Sequence, residues 1–388
     1  MPCAVPGEFS TQETPTVPSN YQAVTSHGCD QRILRSMELK NIIIAPDDLV
    51  LITGASGFLG PHLVASLLRH GLRNLRVFVR RSSNVRRLKA VIAELGAGAR
   101  IEMVRGNLLS REDSVAATRG ATVIFHLTRG NGSSFPDAFM NSVVTTRNLL
   151  DASLEHKCLR RFVNISSFAV YSNKGKARWR LLDESSPVEQ NAGCTRDAYC
   201  FAKVKQDQIV IEYGKKFALP YVIVRPGSVY GPGRPAITGR VGTGAFGFYL
   251  HMGGSNRIPL TYVDNCADAI VLAGLTQGVD GEVFNVLDDD LPTSRRFLRL
   301  YKKHVGHFRS IYVPHALSYA FCWLWEKYSQ WSEGQLPPAF NRGRWHAEWK
   351  KTRYSNGKLK RLGWTPKVPT AEGLTCFFEA CREREQNA

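Results

Sequence analysis

From Leu49 onward the chain alternates two hydrophobic patterns. Short runs rich in β-branched and aromatic residues have the length and composition of buried strands: L-V-L-I-T (49–53), L-R-V-F-V-R (75–80), I-E-M-V (101–104), T-V-I-F-H-L (122–127), R-F-V-N-I-S (161–166) and Y-V-I-V-R (221–225). Between them lie stretches with the 3.6-residue period of amphipathic helices, Pro61–His70 and Ala138–His156 among them. This alternation predicts an α/β fold of the Rossmann type, a doubly wound parallel sheet with helices on both faces and right-handed crossovers. The ligand crevice of such a sheet lies at the carboxyl ends of its strands.

After Arg234 the alternation breaks down. Gly- and Pro-rich loops, a strand-like I-P-L-T-Y-V (258–263), a helix from Asp264 and V-F-N-V (283–286) follow. The pattern divides the chain into a nucleotide-binding domain over residues 46–240 and a smaller substrate lobe with C-terminal helices over 241–388. Residues 1–45 show neither period. Met1–Lys40 is rich in Pro, Thr, Ser and Gln and reads as a disordered extension, without the apolar core of a secretory signal.

Composition narrows the picture. A chain of 388 residues with 43% hydrophobic content can bury a sizeable core. Its formal net charge of +18 is concentrated in Arg80, Arg81, Arg86 and Arg87 and again between Arg342 and Arg361. Such a balance suits nucleic acid, an anionic membrane or an acidic small molecule. No zinc-finger spacing accompanies it, so a small-molecule substrate is expected and a nucleic-acid partner is not. The nine cysteines are scattered, with no C-x-x-C pair and no metal-like spacing, which predicts reduced thiols in a cytoplasmic protein and no metal site.

Chemistry enters with T-G-A-S-G-F-L-G (53–60), directly after the first strand and opening a helix. Gly54 allows a tight turn, Gly57 lets the backbone approach a pyrophosphate, and Gly60 lets helix and strand pack closely; Ser56, Phe58 and Leu59 complete the loop. The helix N-terminus supplies amide donors and partial positive charge to the phosphates. The second strand ends in Arg80, where an acidic residue would bind the ribose hydroxyls of NAD. An arginine suits a 2′-phosphate, with Arg81 or Arg86 as helpers, which favours NADP over NAD. The alternative is a solvated basic face on the next helix.

Tyr199 and Lys203 are four apart in a helical-period segment and so share a face. A tyrosine ordinarily titrates near ~10. An ammonium at ~4 Å, with an effective dielectric of ~20, is worth about 4 kcal/mol, or about three pKa units. Tyr199 is therefore expected to exchange a proton with a hydroxyl or carbonyl, and Ser167, just past the fifth strand, to orient the reacting oxygen.

These residues carry a resemblance. The chain resembles the extended short-chain dehydrogenases/reductases, the broad NAD-dependent epimerase/dehydratase and 3β-hydroxysteroid dehydrogenase group. The matching stretches are T-G-A-S-G-F-L-G, R-G-N-L (105–108), N-S-V-V-T-T-R-N-L-L (141–150), S-S-F-A-V-Y (166–171), Y-C-F-A-K (199–203), R-P-G-S-V-Y-G-P (225–232) and T-Y-V-D-N-C-A-D-A (261–269), with Y-S-N-G-K-L-K-R-L-G-W-T-P (354–366) similar to the family's ending. The resemblance implies that Ser167, Tyr199 and Lys203 form the catalytic group, with Lys203 also bonding the nicotinamide ribose. It implies further that Asn141 stabilises the site, that Pro226 and Val229 lie near the nicotinamide, and that Asn107, Leu108 and Leu127 belong to the cofactor side. Two positions depart from the family pattern: Asn107 stands for the usual aspartate near adenine, and Thr128-Arg129 replaces the small residues usual after H-L.

Phe168-Ala169 stand where the family's dehydratases carry acidic residues, which argues against dehydration. Arg225 is followed by Pro226-Gly227 and not by the asparagine of epimerases, which resembles the hydroxysteroid-dehydrogenase and dihydroflavonol-reductase branches. The expected activity is hydride transfer between NADP (or NAD) and a hydrophobic, steroid- or flavonoid-like alcohol or ketone. A nucleotide-sugar epimerase or reductase is the rival enzyme, and a cofactor-binding regulator without turnover the rival of another class. P-H-A-L-S-Y-A-F-C-W-L-W (314–325) is too short for a bilayer span, which needs about 20 apolar residues. It reads either as an interfacial helix touching a membrane or as a buried or dimer-forming helix. A homodimer is the expected assembly.

Overall fold

A computed structural model describes residues 41–130, 134–175, 179–234, 237–245, 247–332, 335 and 340–386. The extension expected over residues 1–45 lies, through residue 40, outside the described residues.

Each β-branched run forms a strand. β1 (Val50–Thr53), β2 (Asn74–Val79), β3 (Arg100–Arg105), β4 (Val123–His126), β5 (Arg161–Ile165), β6 (Tyr221–Pro226) and β7 (Val283–Val286) build one seven-stranded sheet in the order β7-β6-β5-β4-β1-β2-β3. Every pairing within it is parallel. The chain starts in the middle and winds outward both ways, so the strand order reverses between β1 and β4. Continuous apolar runs arise because helices cover both faces. Along β1, Val50 and Ile52 join one core and Leu51 the opposite one.

The first core packs α1 (Gly60–Arg69), α2 (Arg86–Leu95) and α6 (Val263–Leu275) onto one face through Leu63, Leu67, Leu88 and Ile270. The second packs α3 (Arg111–Thr118), α4 (Thr145–His156) and α5 (Ala198–Phe217) onto the other through Ala117, Leu149 and Val210. Each such aliphatic side chain, fully withdrawn from water, stabilises the fold by about 1.5–3 kcal/mol. A third, aromatic core of Tyr230, Tyr262, Phe297, Tyr301, Phe377 and Phe378 belongs mostly to the C-terminal part of the chain. Residues 283–286, which follow the irregular region, return to extend the central sheet as β7.

The single helix expected over Ala138–His156 is broken. Phe135–Ala138 is a short α-turn, Phe139–Val144 has π-helical hydrogen bonding, and α4 begins only at Thr145. Side chains compete for the carbonyls here. Thr145 Oγ1 donates to Asn141 O and Ser142 O, both at 3.0 Å, and Thr146 Oγ1 donates to Ser142 O at 2.6 Å. Gln206 Nε2, from α5, reaches the same Ser142 carbonyl at 3.2 Å. Widening of the helix at such a point is the usual form of a π-bulge.

Candidate active site

The glycine loop sits at the reversal of strand order, between the carboxyl ends of β1 and β4. Gly54 has φ of 72°, a left-handed conformation that only glycine adopts freely, and a Cβ there would lie 3.1 Å from the Leu127 backbone. Gly60 is tighter still, since a Cβ would overlap the Ala55 carbonyl oxygen at 2.2 Å. The N-terminus of α1 carries no side-chain cap, and Pro61 occupies its first turn. Its free amides therefore face the loop as a ready anion site. Ser56, Phe58 and Leu59 are half-buried along this turn. The cradle, its close approaches and its uncapped helix fit the pyrophosphate of a dinucleotide.

At the end of β2, Arg80 and Arg81 are exposed. Among the described residues Arg80 makes no ion pair. Arg87 turns away to donate to the Gly233 carbonyl at 3.4 Å, while Arg86 opens α2. Asn107 forms a local turn: its Oδ1 accepts the Leu109 amide at 3.1 Å, and its own amide donates to Asp113 at 2.7 Å. Leu108 is buried in the second core, so its side chain supports the strand ends, while Leu127 stands half-buried against Gly54. Pro226 closes β6, and Val229 lies in the short strand Ser228–Tyr230, paired with Leu260–Tyr262.

α5 positions the central group. Asp197 caps it by accepting the Cys200 amide at 2.8 Å, which starts the helix just ahead of Tyr199. Tyr199, Lys203 and Asp207 then follow at four-residue intervals along one side. Lys203 is 3% exposed and donates from Nζ to the Ile165 carbonyl at 2.8 Å. Burial pulls its pKa down to about 8, against the carboxylate of Asp207, with Arg129 pulling the same way as burial. Asp207 accepts from Asn164 Nδ2 and Ser166 Oγ, both at 2.9 Å, and forms a buried ion pair with Arg225 at 3.0 Å. Arg225 stacks over Tyr171 at 4.8 Å, and the Tyr171 hydroxyl donates to Asn285 at 2.7 Å.

Tyr199 departs from expectation in its electrostatics. Burial raises its pKa above the ordinary value, while the Ser167 side chain beside it and the guanidinium groups of Arg129 and Arg234 pull the other way. The guanidinium groups of Arg129 and Arg234 thus act on the phenol, while the Lys203 ammonium bonds the Ile165 carbonyl at the end of β5. The Ser167 hydroxyl also accepts the Ala169 amide at 3.2 Å, capping the 3-10 turn Phe168–Val170. The structure thus brings Ser167, Tyr199 and Lys203 together. Asn141 lies in the π-helical turn, where its side-chain amide donates to Asp137 Oδ1 at 2.8 Å and not to any of those three.

Three features were not foreseen from the sequence. Asp207 continues the four-residue spacing of Tyr199 and Lys203, a signal that was available. Thr53, His126, Thr146 and Gln206 form a buried chain: His126 Nδ1 meets Thr53 Oγ1 and Nε2 meets Thr146 Oγ1, both at 2.8 Å, and Gln206 donates to Thr146 at 2.8 Å. Burial, then Lys203, pulls the His126 pKa down to about 3, so the ring is neutral at the carboxyl end of β4. Arg129 and Arg234 are the third, and only Arg129 had drawn notice, as a departure from pattern.

The stretch 314–325 belongs to α7 (His315–Trp331). Leu317, Phe321, Leu324, Tyr328 and Trp331 form an exposed stripe along it, spaced alternately four and three residues apart, with Ser318, Cys322 and Ser329 buried on the other side. Among the described residues no helix is long and apolar enough to cross a membrane.

With this geometry in place, comparison with known proteins is informative. The family model described as NAD dependent epimerase/dehydratase matches residues 50–286. The 3beta-hydroxysteroid-dehydrogenase/decarboxylase isoform 1 of Arabidopsis thaliana is 25% identical over 351 residues, covering 84% of this chain and 77% of the relative. A dTDP-glucose 4,6-dehydratase of Streptomyces niveus is 32% identical over 257 residues, covering 61% and 71%. Among solved structures, UDP-glucuronic acid 4-epimerase from Bacillus cereus, in complex with UDP-glucuronic acid and NAD, is similar with a TM-score of 0.64 at 20% identity. That match covers 87% of this chain and 99% of the other, and speaks for the fold. A family match over more than half its length means that the chain belongs to the NAD-dependent epimerase/dehydratase family, as an NAD(P)-dependent oxidoreductase of the extended short-chain dehydrogenase/reductase type.

Proposed function

We propose that the protein interconverts an alcohol and a ketone on a largely hydrophobic substrate, using NADP in preference to NAD. The observation that carries this reading is the convergence of Ser167 and Tyr199, with Lys203 one helical turn away, at the carboxyl end of β5 beside the uncapped glycine loop. The nicotinamide supplies or accepts the hydride when bound. Gly54, Gly57, Gly60 and the first amides of α1 would hold the pyrophosphate, Arg80 a 2′-phosphate, and Lys203 the nicotinamide ribose. Ser167 orients the substrate oxygen. In reduction, the Tyr199 phenol, kept protonated by its burial, gives its proton to the carbonyl oxygen as the carbon gains hydride. In oxidation the alcohol proton returns to the Tyr199 oxygen.

A hydrophobic substrate is supported by Arg225-Pro226-Gly227 at the end of β6 and by the 3beta-hydroxysteroid-dehydrogenase/decarboxylase among the relatives. Oxidation of NADPH, followed with a panel of ketosteroids and UDP-sugars, tests the reading. Tyr199→Phe should lower kcat by about 10²–10⁴-fold and leave cofactor affinity nearly intact; unchanged turnover in that variant overturns the role given to Tyr199.

The exposed stripe of α7, with Lys327 exposed on the same helix, supports peripheral contact with an anionic lipid surface. Co-sedimentation with phosphatidylserine vesicles should be lost in Leu324→Glu. Protein that stays in the supernatant at low salt removes this reading.

A further inference from the structure

We infer that a second ligand site lies outside the catalytic cleft, against Trp179, Arg257 and Arg353, and that it takes a nucleoside monophosphate. The site is a cavity of about 340 Å³, lined in part by the residues that follow β7. Its size is at the small end of ligand pockets, which run from about 300 to 1,000 Å³. Among the described residues that line it, none belongs to the glycine loop, to the arginines after β2 or to the group of Ser167, Tyr199 and Lys203. An apolar cluster that includes Phe168, Leu182, Leu287 and Leu291 separates the two places. Leu287 and Leu291 line the cavity, while Phe168 follows Ser167 and stacks on Tyr354 with ring centres 5.8 Å apart.

Trp179 is 44% exposed and has φ of 65°, a left-handed conformation that a bulky residue rarely holds. Its amide is fixed by donating to the Lys351 carbonyl at 2.8 Å, beside the parallel pairing of Leu181–Leu182 with Arg353–Tyr354. Backbone strain of this kind persists where the surroundings hold it, and it gathers at ligand clamps. Lys351 Nζ lies 5.1 Å from the centre of the Trp179 ring but does not line the cavity, which leaves the ring a face for stacking. Leu181, also exposed, adds an apolar edge.

The charges around the cavity are engaged unequally. Asp288 is buried, with one oxygen accepting the Tyr262 amide at 2.9 Å and the other Asn265 Nδ2 at 3.0 Å. Asp289 is held by Lys360 Nζ at 2.7 Å and by Asn356 Nδ2 at 2.9 Å. Arg257 and Arg353 are exposed, and among the described residues neither forms an ion pair, although both carboxylates line the same cavity. Guanidinium forks match the oxygens of a phosphate, and an indole face matches a nucleobase. A bare phosphate would leave Trp179 unused, and an uncharged ring would leave the arginines unused. A nucleoside monophosphate engages both.

The test uses the protein saturated with NADP, so that the glycine loop is filled, and reads binding of AMP, UMP, adenosine and inorganic phosphate by calorimetry. At least one of the two monophosphates should bind about tenfold or more tightly than adenosine and than phosphate, and weaken as salt is raised. Trp179→Ala and Arg353→Glu should each weaken that binding about tenfold and leave NADP affinity unchanged. NADP affinity also checks that each variant is folded, and Arg257→Glu replaces Arg353→Glu if it is not. Absence of monophosphate binding, or equal binding of the monophosphates and adenosine, overturns the inference. So does monophosphate binding that is unchanged in both variants, which would put the nucleotide in the catalytic cleft. None of these outcomes touches the proposed function, whose test by NADPH oxidation and Tyr199→Phe does not involve the cavity.

Discussion

Two sets of charges flank Tyr199, and they are built in opposite ways. Behind it, Lys203, Asp207 and Arg225 are 3%, 2% and 4% exposed, and each has its hydrogen-bonding partners inside the protein. In front of it, Arg129 and Arg234 are exposed and, among the described residues, joined to no carboxylate. Buried charges survive only when paired, because desolvation disfavours an isolated ion by several kcal/mol. Their value is therefore in holding geometry: Asp207 ties Asn164 and Ser166 of the fifth-strand region to α5 and steadies the lysine one turn away. Exposed cations contribute little to stability. Set over the Tyr199 ring and over Phe58 of the glycine loop, these two are suited to recognition instead.

The largest effect should come from breaking the buried set. Asp207→Asn leaves Arg225 as an uncompensated buried cation and should reduce unfolding free energy by about 3–5 kcal/mol, read from urea denaturation. The same change removes the negative charge that raises the Lys203 pKa, so that pKa should fall below about 8. Any basic limb of the pH–rate profile that reports Lys203 then moves to lower pH. A variant as stable as the parent would contradict this division between buried and exposed charges. Arg129→Ala, from the exposed set, should change stability by no more than about 0.5 kcal/mol in the same assay. A smaller contrast concerns Arg80, another exposed cation that, among the described residues, joins no carboxylate. Arg80→Ala should weaken NADP binding about tenfold, the effect of losing one charge-assisted contact, and leave NAD binding unchanged. Equal losses for both cofactors would assign Arg80 to a solvated face.

The sheet was legible because its strands are buried on both sides and therefore read as unbroken β-branched runs. Gly54 and Gly60 were legible because no other residue fits where a Cβ meets backbone. Less could be read where the cause lies far along the chain. The π-helical turn at Phe139–Val144 involves a Gln206 donor from another helix, so the local period of Ala138–His156 suggested one continuous helix. Lys203 was expected to act on Tyr199 from spacing alone. Spacing placed the two on one face but could not show that the Ile165 carbonyl would hold the ammonium, or that Arg129 and Arg234 would arrive by loops from β4 and β6. Asp207 is a different case, since the four-residue interval pointed to it directly.

That interval has a consequence for how the chain tolerates insertions and deletions. Tyr199, Lys203 and Asp207 keep their common side only while the residue count between them is preserved, because each added or lost residue turns the remainder of the helix by about 100° around its axis. Between Tyr199 and Lys203 a single-codon insertion would separate the phenol from the lysine and also turn Val210 and Tyr213 away from the second core. Ahead of Asp197, in the loops and short turns after Tyr171, the same insertion leaves the phase of α5 untouched. Length variation in descendants of this sequence should therefore collect before the cap of α5 and stop at it.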